Sequence, residues 1–170
     1  MWPIISYDIM VEGVVRGDAA DIAEIHAAAF DHRWSADEML RLIDSDNVRA
    51  LKCRRPSTLF RPASRRPRGF VMARLAADEA EILTIAVAPD ARRLGLGKLL
   101  MQAIIDDLYA DSFRHLFLEV DEANEAAVAL YRQLGFEQVG ERKSYYAPAK
   151  KAGPGATERP RALVMRFNLR

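Results

Sequence analysis

Glu81-Ile-Leu-Thr-Ile-Ala-Val-Ala-Pro-Asp-Ala-Arg-Arg-Leu-Gly-Leu-Gly-Lys98 is an apolar run that breaks at Pro89 into a basic, glycine-spaced turn. The turn opens a helix from about Leu96 to Ala110. Gly95 and Gly97 carry no Cβ, so the backbone can approach an anion closely, and the free N–H groups of the first helical turn point at it. Arg92, Arg93 and Lys98 add positive charge. The stretch reads as a phosphate cradle behind a strand from Glu81 to Val87.

Spacing separates three phosphate motifs. A P-loop needs a glycine where Arg92 stands and a Ser or Thr where Leu99 stands, so a nucleoside triphosphate is excluded. A dinucleotide fingerprint needs a third small residue at Leu100 and an acid about twenty residues on. Glu119 fits that distance, so this reading is weakened rather than excluded. What remains is Arg92-x-x-Gly95-x-Gly97, which resembles the pyrophosphate-binding motif of the GNAT N-acetyltransferases, where acetyl-coenzyme A sits on the turn. On the glycines alone, a strand-to-helix turn that binds nothing is the plain alternative.

The 170 residues make room for one domain, read as residues 1–170. Half of them are hydrophobic and 29% charged, as in ordinary globular proteins. No window offers 18 consecutive apolar residues, and the N-terminus lacks a basic leader pattern, so a cytoplasmic protein without a membrane partner is expected. The single cysteine, Cys53, excludes an internal disulfide and a multi-cysteine metal site. Its arginine neighbours suggest a lowered thiol pKa, but an incidental residue is the favoured reading.

The net charge of +1 is unevenly spread. Lys52, Arg54, Arg55, Arg61, Arg65, Arg66 and Arg68 fall in residues 52–68 with no acid among them. With Pro56, Pro62 and Pro67 the segment reads as an extended, mobile insertion. A weak contact with RNA suits its charge, although it lacks interleaved aromatics and a solvated surface loop is favoured.

Along the chain, Ile9 to Val15 reads as a strand and Asp18 as the cap of a helix through about Phe30. Ser35-x-x-Glu38 is a capping box for a second helix ending near Ile43. Val48 to Leu51 is a short strand, and Gly69 to Leu75 with Glu81 to Val87 forms a hairpin. The helix after the glycine turn has an apolar face of Leu99, Leu100, Ala103, Ile104 and Leu108. His115 to Val120 reads as a buried strand. Asn124 caps a helix that ends at Gly135, and strands from Phe136 and from Arg161 to Leu169 form a last hairpin around a flexible loop at 148–160. This order describes an α/β domain with a mixed, mostly antiparallel sheet and helices on both faces.

Two further segments sharpen the resemblance. They are Leu116-Phe-Leu-Glu-Val-Asp-Glu-Ala-Asn-Glu-Ala-Ala-Val-Ala-Leu-Tyr-Arg-Gln-Leu-Gly-Phe136 and Arg142-Lys-Ser-Tyr-Tyr146. With Trp34-Ser35 and Ala162-Leu-Val-Met165, they resemble the RimI-like branch, the ribosomal-protein-alanine N-acetyltransferases. The resemblance implies the GNAT fold, with acetyl-coenzyme A as donor and no metal. It places the donor against Ile85, Ala86 and Val87, then Arg93, Leu94, Gly95, Leu96, Gly97 and Lys98, with Asn124 as a further contact. Backbone groups of Ile85 to Val87 can pair with the donor's amides like an added strand.

Glu119 and Tyr131 match the family's base and acid. Strand alternation puts Glu119 opposite Leu118 and Val120, and partial burial there is expected to raise its pKa towards that of a working base. Tyr131 is protonated at neutral pH and can donate to sulfur. The resemblance also implies a peptide groove lined by Trp34, Tyr145 and Tyr146. The acceptor it implies is a protein N-terminus, the alanine of a small-subunit ribosomal protein. An α-amine, with a pKa near 8, deprotonates more easily than a lysine near 10.4. Arg161 departs from the family, which often has an acid there, and so bears on peptide preference. His26 and His32 read as helix and loop residues rather than metal ligands. A small-molecule amine, a lysine or a catalytically idle coenzyme A-binding role are the alternatives, and a monomer or weak dimer is expected.

Overall fold

The computed structural model describes residues 9–56, 65–143 and 161–170. Among the described residues, four α-helices and seven strands follow one another in the expected order. They are β1 (Met10–Gly13), α1 (Ala19–Ala27), α2 (Ala36–Ile43), β2 (Val48–Arg54), β3 (Gly69–Ala76), β4 (Glu79–Val87), α3 (Leu96–Ala110), β5 (His115–Asp121), α4 (Glu125–Leu134), β6 (Glu137–Lys143) and β7 (Arg161–Asn168). The strands form one sheet in the order β1-β2-β3-β4-β5-β7-β6. Every neighbouring pair is antiparallel except β4 and β5, whose crossover is α3.

Alternation along β3 sends Val71 and Ala73 to one face and Phe70 and Met72 to the other. The first face packs against α3 and α4, through Leu100, Met101, Ile104, Leu108, Val128 and Tyr131; the second packs against Ile22 and Ile25 of α1 and Met39 of α2. Each fully buried leucine or isoleucine here contributes about 2 kcal/mol. Gly69 is needed where β3, β4 and α3 close up, because a Cβ there would stand 2.9 Å from the Ala86 carbonyl oxygen.

Several expectations are corrected. Helix α1 stops at Ala27, leaving Phe30 in the following loop and 41% exposed. Asp18 does not cap α1; its Oδ2 accepts from the Val15 N–H at 2.8 Å and from Lys52 Nζ at 2.6 Å. Leu99 is exposed, and the buried stripe of α3 keeps Leu100, Ile104 and Leu108 of the expected face and adds Leu96, Met101 and Ile105. Strand β5 is buried on one face only, through Leu116, Leu118 and Val120.

The basic segment is corrected as well. Strand β2 continues through Lys52 to Arg54, paired to Met10, Val11 and Glu12 of β1. Lys52 is buried against Asp18, Arg54 meets Glu12 at 2.6 Å, Arg66 bridges Asp21 and Glu24 at 3.0 Å, and Arg68 lies 3.4 Å from Asp90. Lys52, Arg54 and Arg68 are thus drawn onto the fold, while the Arg66 side chain stays 69% exposed although paired. Cys53 is buried in the same strand, and burial pushes its thiol up to about 11, so it is no reactive thiol.

Candidate active site

β4 and β5 pair only from Glu79 to Glu81 and from His115 to Phe117. Immediately beyond, the register of β4 against β3 skips Leu83, because Met72 faces Thr84 while Ala73 faces Ile82. A bulge of this kind bends a strand, and the two strands part where it begins. The fork is a cleft of about 830 Å³. Ile82 to Val87 line one wall, Leu118 to Asp121 the other, and Asn124, Ala127, Leu130 and Tyr131 of the α4 region close one side. Among the described residues, β4 from Ile82 to Val87 has a partner strand only in β3, so its other edge offers backbone groups to the cleft.

At one end of the cleft stand Arg92 and Gly97. Gly95 takes φ 77°, a left-handed conformation, and Leu96 begins α3, whose opening N–H groups have no carbonyl a turn earlier to bond. Arg93 also has a positive φ of 62°, which costs a non-glycine residue about 1 kcal/mol. Arg92 is partly committed elsewhere. Its Nη2 donates to the Ala28 carbonyl at 3.1 Å and its Nε to the Val87 carbonyl at 3.4 Å, tying the end of α1 to the end of β4. Arg93, Leu94 and Lys98 are exposed beside the turn, whereas the Leu96 side chain is core.

Glu119 and Tyr131 meet in this cleft from different elements. The Tyr131 ring is 7% exposed and lies 5.8 Å from the Phe136 ring. Burial raises its phenol above the ordinary 10, so it stays protonated well beyond neutrality. Glu119 is on the cleft face as alternation requires, but it lacks the apolar enclosure expected of it. A third of its side chain is exposed, and Oε1 lies 2.8 Å from Arg142 Nη1. Asn124 lines the cleft and caps α4, its Oδ1 accepting from the Ala127 N–H at 3.2 Å.

On the other side, Ala29, Phe30 and Asp31 from the loop after α1 reach the cleft. Trp34 does not line it: its indole stacks on His26, with centroids 4.7 Å apart, and packs on the α1–α2 core. His26 is buried and its pKa is lowered by desolvation, which keeps Nδ1 free to accept from the Trp34 N–H. Tyr145 and Tyr146 lie outside the described residues, as does the loop at 148–160. Among the described residues no cluster of His, Cys, Asp and Glu could hold a metal ion.

Sequence reasoning missed Asp121, Phe30, Asp31 and Arg142. Asp121 was within reach, standing two residues after Glu119 and so on the same strand face. Arg142 carried no such signal, because its approach to Glu119 depends on the β6–β7–β5 register.

The chain matches the family Acetyltransferase (GNAT) over residues 19–136 and belongs to it. It is 41% identical over 88 residues to the ribosomal protein bS18-alanine N-acetyltransferase of Salmonella typhimurium, covering 52% of this chain and 60% of that one. The enzyme of the same name from Haemophilus ducreyi is 31% identical over 147 residues, 81% of this chain and 88% of that one. Among solved structures, the ribosomal-protein-S18-alanine N-acetyltransferase of Escherichia coli superposes with a TM-score of 0.77 at 25% identity, covering 95% of this chain and 94% of that chain.

Proposed function

We propose that this protein transfers an acetyl group from acetyl-coenzyme A to the N-terminal α-amine of a protein, the alanine of a small-subunit ribosomal protein. The observation that carries the reading is one cleft that brings Glu119 and Tyr131 together and ends at the Arg92–Gly97 turn. The relatives of this name add the acceptor. In this reading residues 1–170 act as one catalytic domain.

The donor is held by the free edge of β4 at Ile85 to Val87 and by the N–H groups that open α3, with Arg93 and Lys98 beside them. Glu119 takes one proton from the acceptor's ammonium, directly or through one water, and the neutral nitrogen then bonds to the thioester carbonyl carbon and loses its second proton to solvent. An N–H near Val87 donates to the oxygen that gains charge; elsewhere, losing one such donor costs about 3 kcal/mol. Tyr131 gives its proton to the sulfur as the carbon–sulfur bond breaks.

Incubation with acetyl-coenzyme A and three acceptors tests the proposal: an alanine-ended peptide, a lysine peptide with a blocked N-terminus, and a polyamine. Mass mapping should place the acetyl group on the alanine nitrogen. Acetylation of the blocked lysine peptide alone would sink the α-amine reading, and a protein that binds coenzyme A but turns over none of the three would be an idle binding module.

A further inference from the structure

Glu119 is occupied by a cation of the protein's own. Arg142 Nη1 lies 2.8 Å from its Oε1, although the two residues belong to strands separated by β7. The register explains the reach. Glu119 stands opposite Val164 of β7, and Arg142 stands opposite Ala162 of the same strand. Val164 and Ala162 are two apart, so Glu119, Val164, Ala162 and Arg142 share one face of the sheet. Glu119 lines the cleft, and its side chain is 34% and that of Arg142 71% exposed.

We propose that Arg142 is a stand-in for the acceptor's ammonium group, pairing with Glu119 until an acceptor arrives and then yielding the carboxylate to it. The proposal rests on the reading of Glu119 as the base. A guanidinium stays protonated throughout the working pH range, so it offers Glu119 a partner without offering it a removable proton. While Arg142 is in place, the Glu119 carboxylate is held in position but idle. An arriving ammonium replaces one cation by another, so the carboxylate is never left unpaired during the exchange. An ion pair this exposed is weak and easily exchanged. Arg142 is thus a positioning residue that filters acceptors: a neutral nucleophile has no charge with which to displace it.

Removing the stand-in should make acceptor binding easier. Arg142→Gln should lower the KM for an alanine-ended pentapeptide about threefold, the factor an exposed ion pair is worth. The gain in kcat/KM should come from KM and not from kcat, with the KM for acetyl-coenzyme A unmoved. Arg142→Lys, which restores a cation, should return the peptide KM to the parent's value. Titration calorimetry of the same peptide, with coenzyme A present, adds a readout that needs no turnover. Arg142→Gln should tighten binding in the parent background and change nothing in a Glu119→Gln background. A peptide KM that is unchanged or raised in Arg142→Gln overturns the proposal, as does tighter binding that persists without Glu119. If the parent acetylates the peptide and these shifts are missing, the stand-in role fails while the transferase reading stands. A protein that acetylates no acceptor overturns the transferase reading and, with it, the proposal, whatever the calorimetry shows.

Discussion

Lys52 Nζ lies 2.6 Å from Asp18 Oδ2, with both side chains more than nine-tenths enclosed. Glu12 approaches the same ammonium at 3.3 Å, and Asp18 also accepts the Val15 N–H. One buried cation therefore joins β1, β2 and the turn that launches α1. Removing one partner strands the other charge in the interior, so Lys52→Met should cost about 3 kcal/mol. Because the two residues are coupled, Asp18→Asn combined with Lys52→Met should cost less than the sum of the single changes. Urea unfolding of the three variants checks both statements.

Tyr131→Phe keeps the buried ring and deletes only the hydroxyl, so the fold should survive while kcat falls about a hundredfold. Glu119→Gln should lower kcat at least as far, and in both variants the KM for acetyl-coenzyme A should stay near the parent's. Steady-state kinetics with each substrate varied in turn separates these effects.

Burial raises the Tyr131 phenol, so the unfolded chain loses that proton at a lower pH than the folded protein does. The linked stability is therefore present below about pH 10 and lost as pH rises through the folded value. Unfolding measured from pH 9 upward should show a decline with pH that is smaller in Tyr131→Phe.

His26 moves in the opposite sense. Its folded pKa is depressed by desolvation, so the unfolded chain binds the proton first as pH falls. The stability it supports is full above about pH 6.5 and is lost as pH drops through the folded value. Protonation also removes the acceptor for the Trp34 N–H, in the segment that follows Phe30 and Asp31. Unfolding midpoints at pH 7 and pH 5 should differ less in His26→Phe than in the parent.

Gly69→Ala would place a methyl 2.9 Å from the Ala86 carbonyl oxygen and 3.2 Å from Leu100 Cδ1. Overpacking of this kind costs about 1–3 kcal/mol. Because Ala86 belongs to the cleft wall, the KM for acetyl-coenzyme A should rise along with the loss of thermal stability. A calorimetric melt and donor-saturation curves test the two halves together.

Local chemistry made much of this fold readable. The box at Ser35 and Glu38 closes as its spacing requires, with the Glu38 N–H reaching Ser35 Oγ at 3.2 Å. Gly95 and Gly135 take the left-handed conformations that mark the start of α3 and the end of α4. What stayed hidden came from distant partners. Lys52 and Arg54 looked like loop residues because nothing near them in sequence supplies the carboxylates of Glu12 and Asp18. Glu119 was legible through alternation along one strand, but its partner Arg142 arrives only through two strand registers. The resemblance puts Trp34 in a peptide groove; in the structure its indole stacks on His26, eight residues earlier, a contact that no local pattern announces.

The three residue pairs that join β4 to β5 make this sheet two smaller sheets on a short common spine. Beyond that spine, the halves are held apart by the bulge at Leu83 and together by the helices beneath. A molecule bound to both arms of the fork becomes a structural member, so heat resistance is a gauge of its concentration. An occupant at a hundredfold excess over its Kd adds about 2.7 kcal/mol. The melting temperature of this protein should therefore climb with the logarithm of acetyl-coenzyme A, which would leave the protein hardest to unfold when its donor is most plentiful.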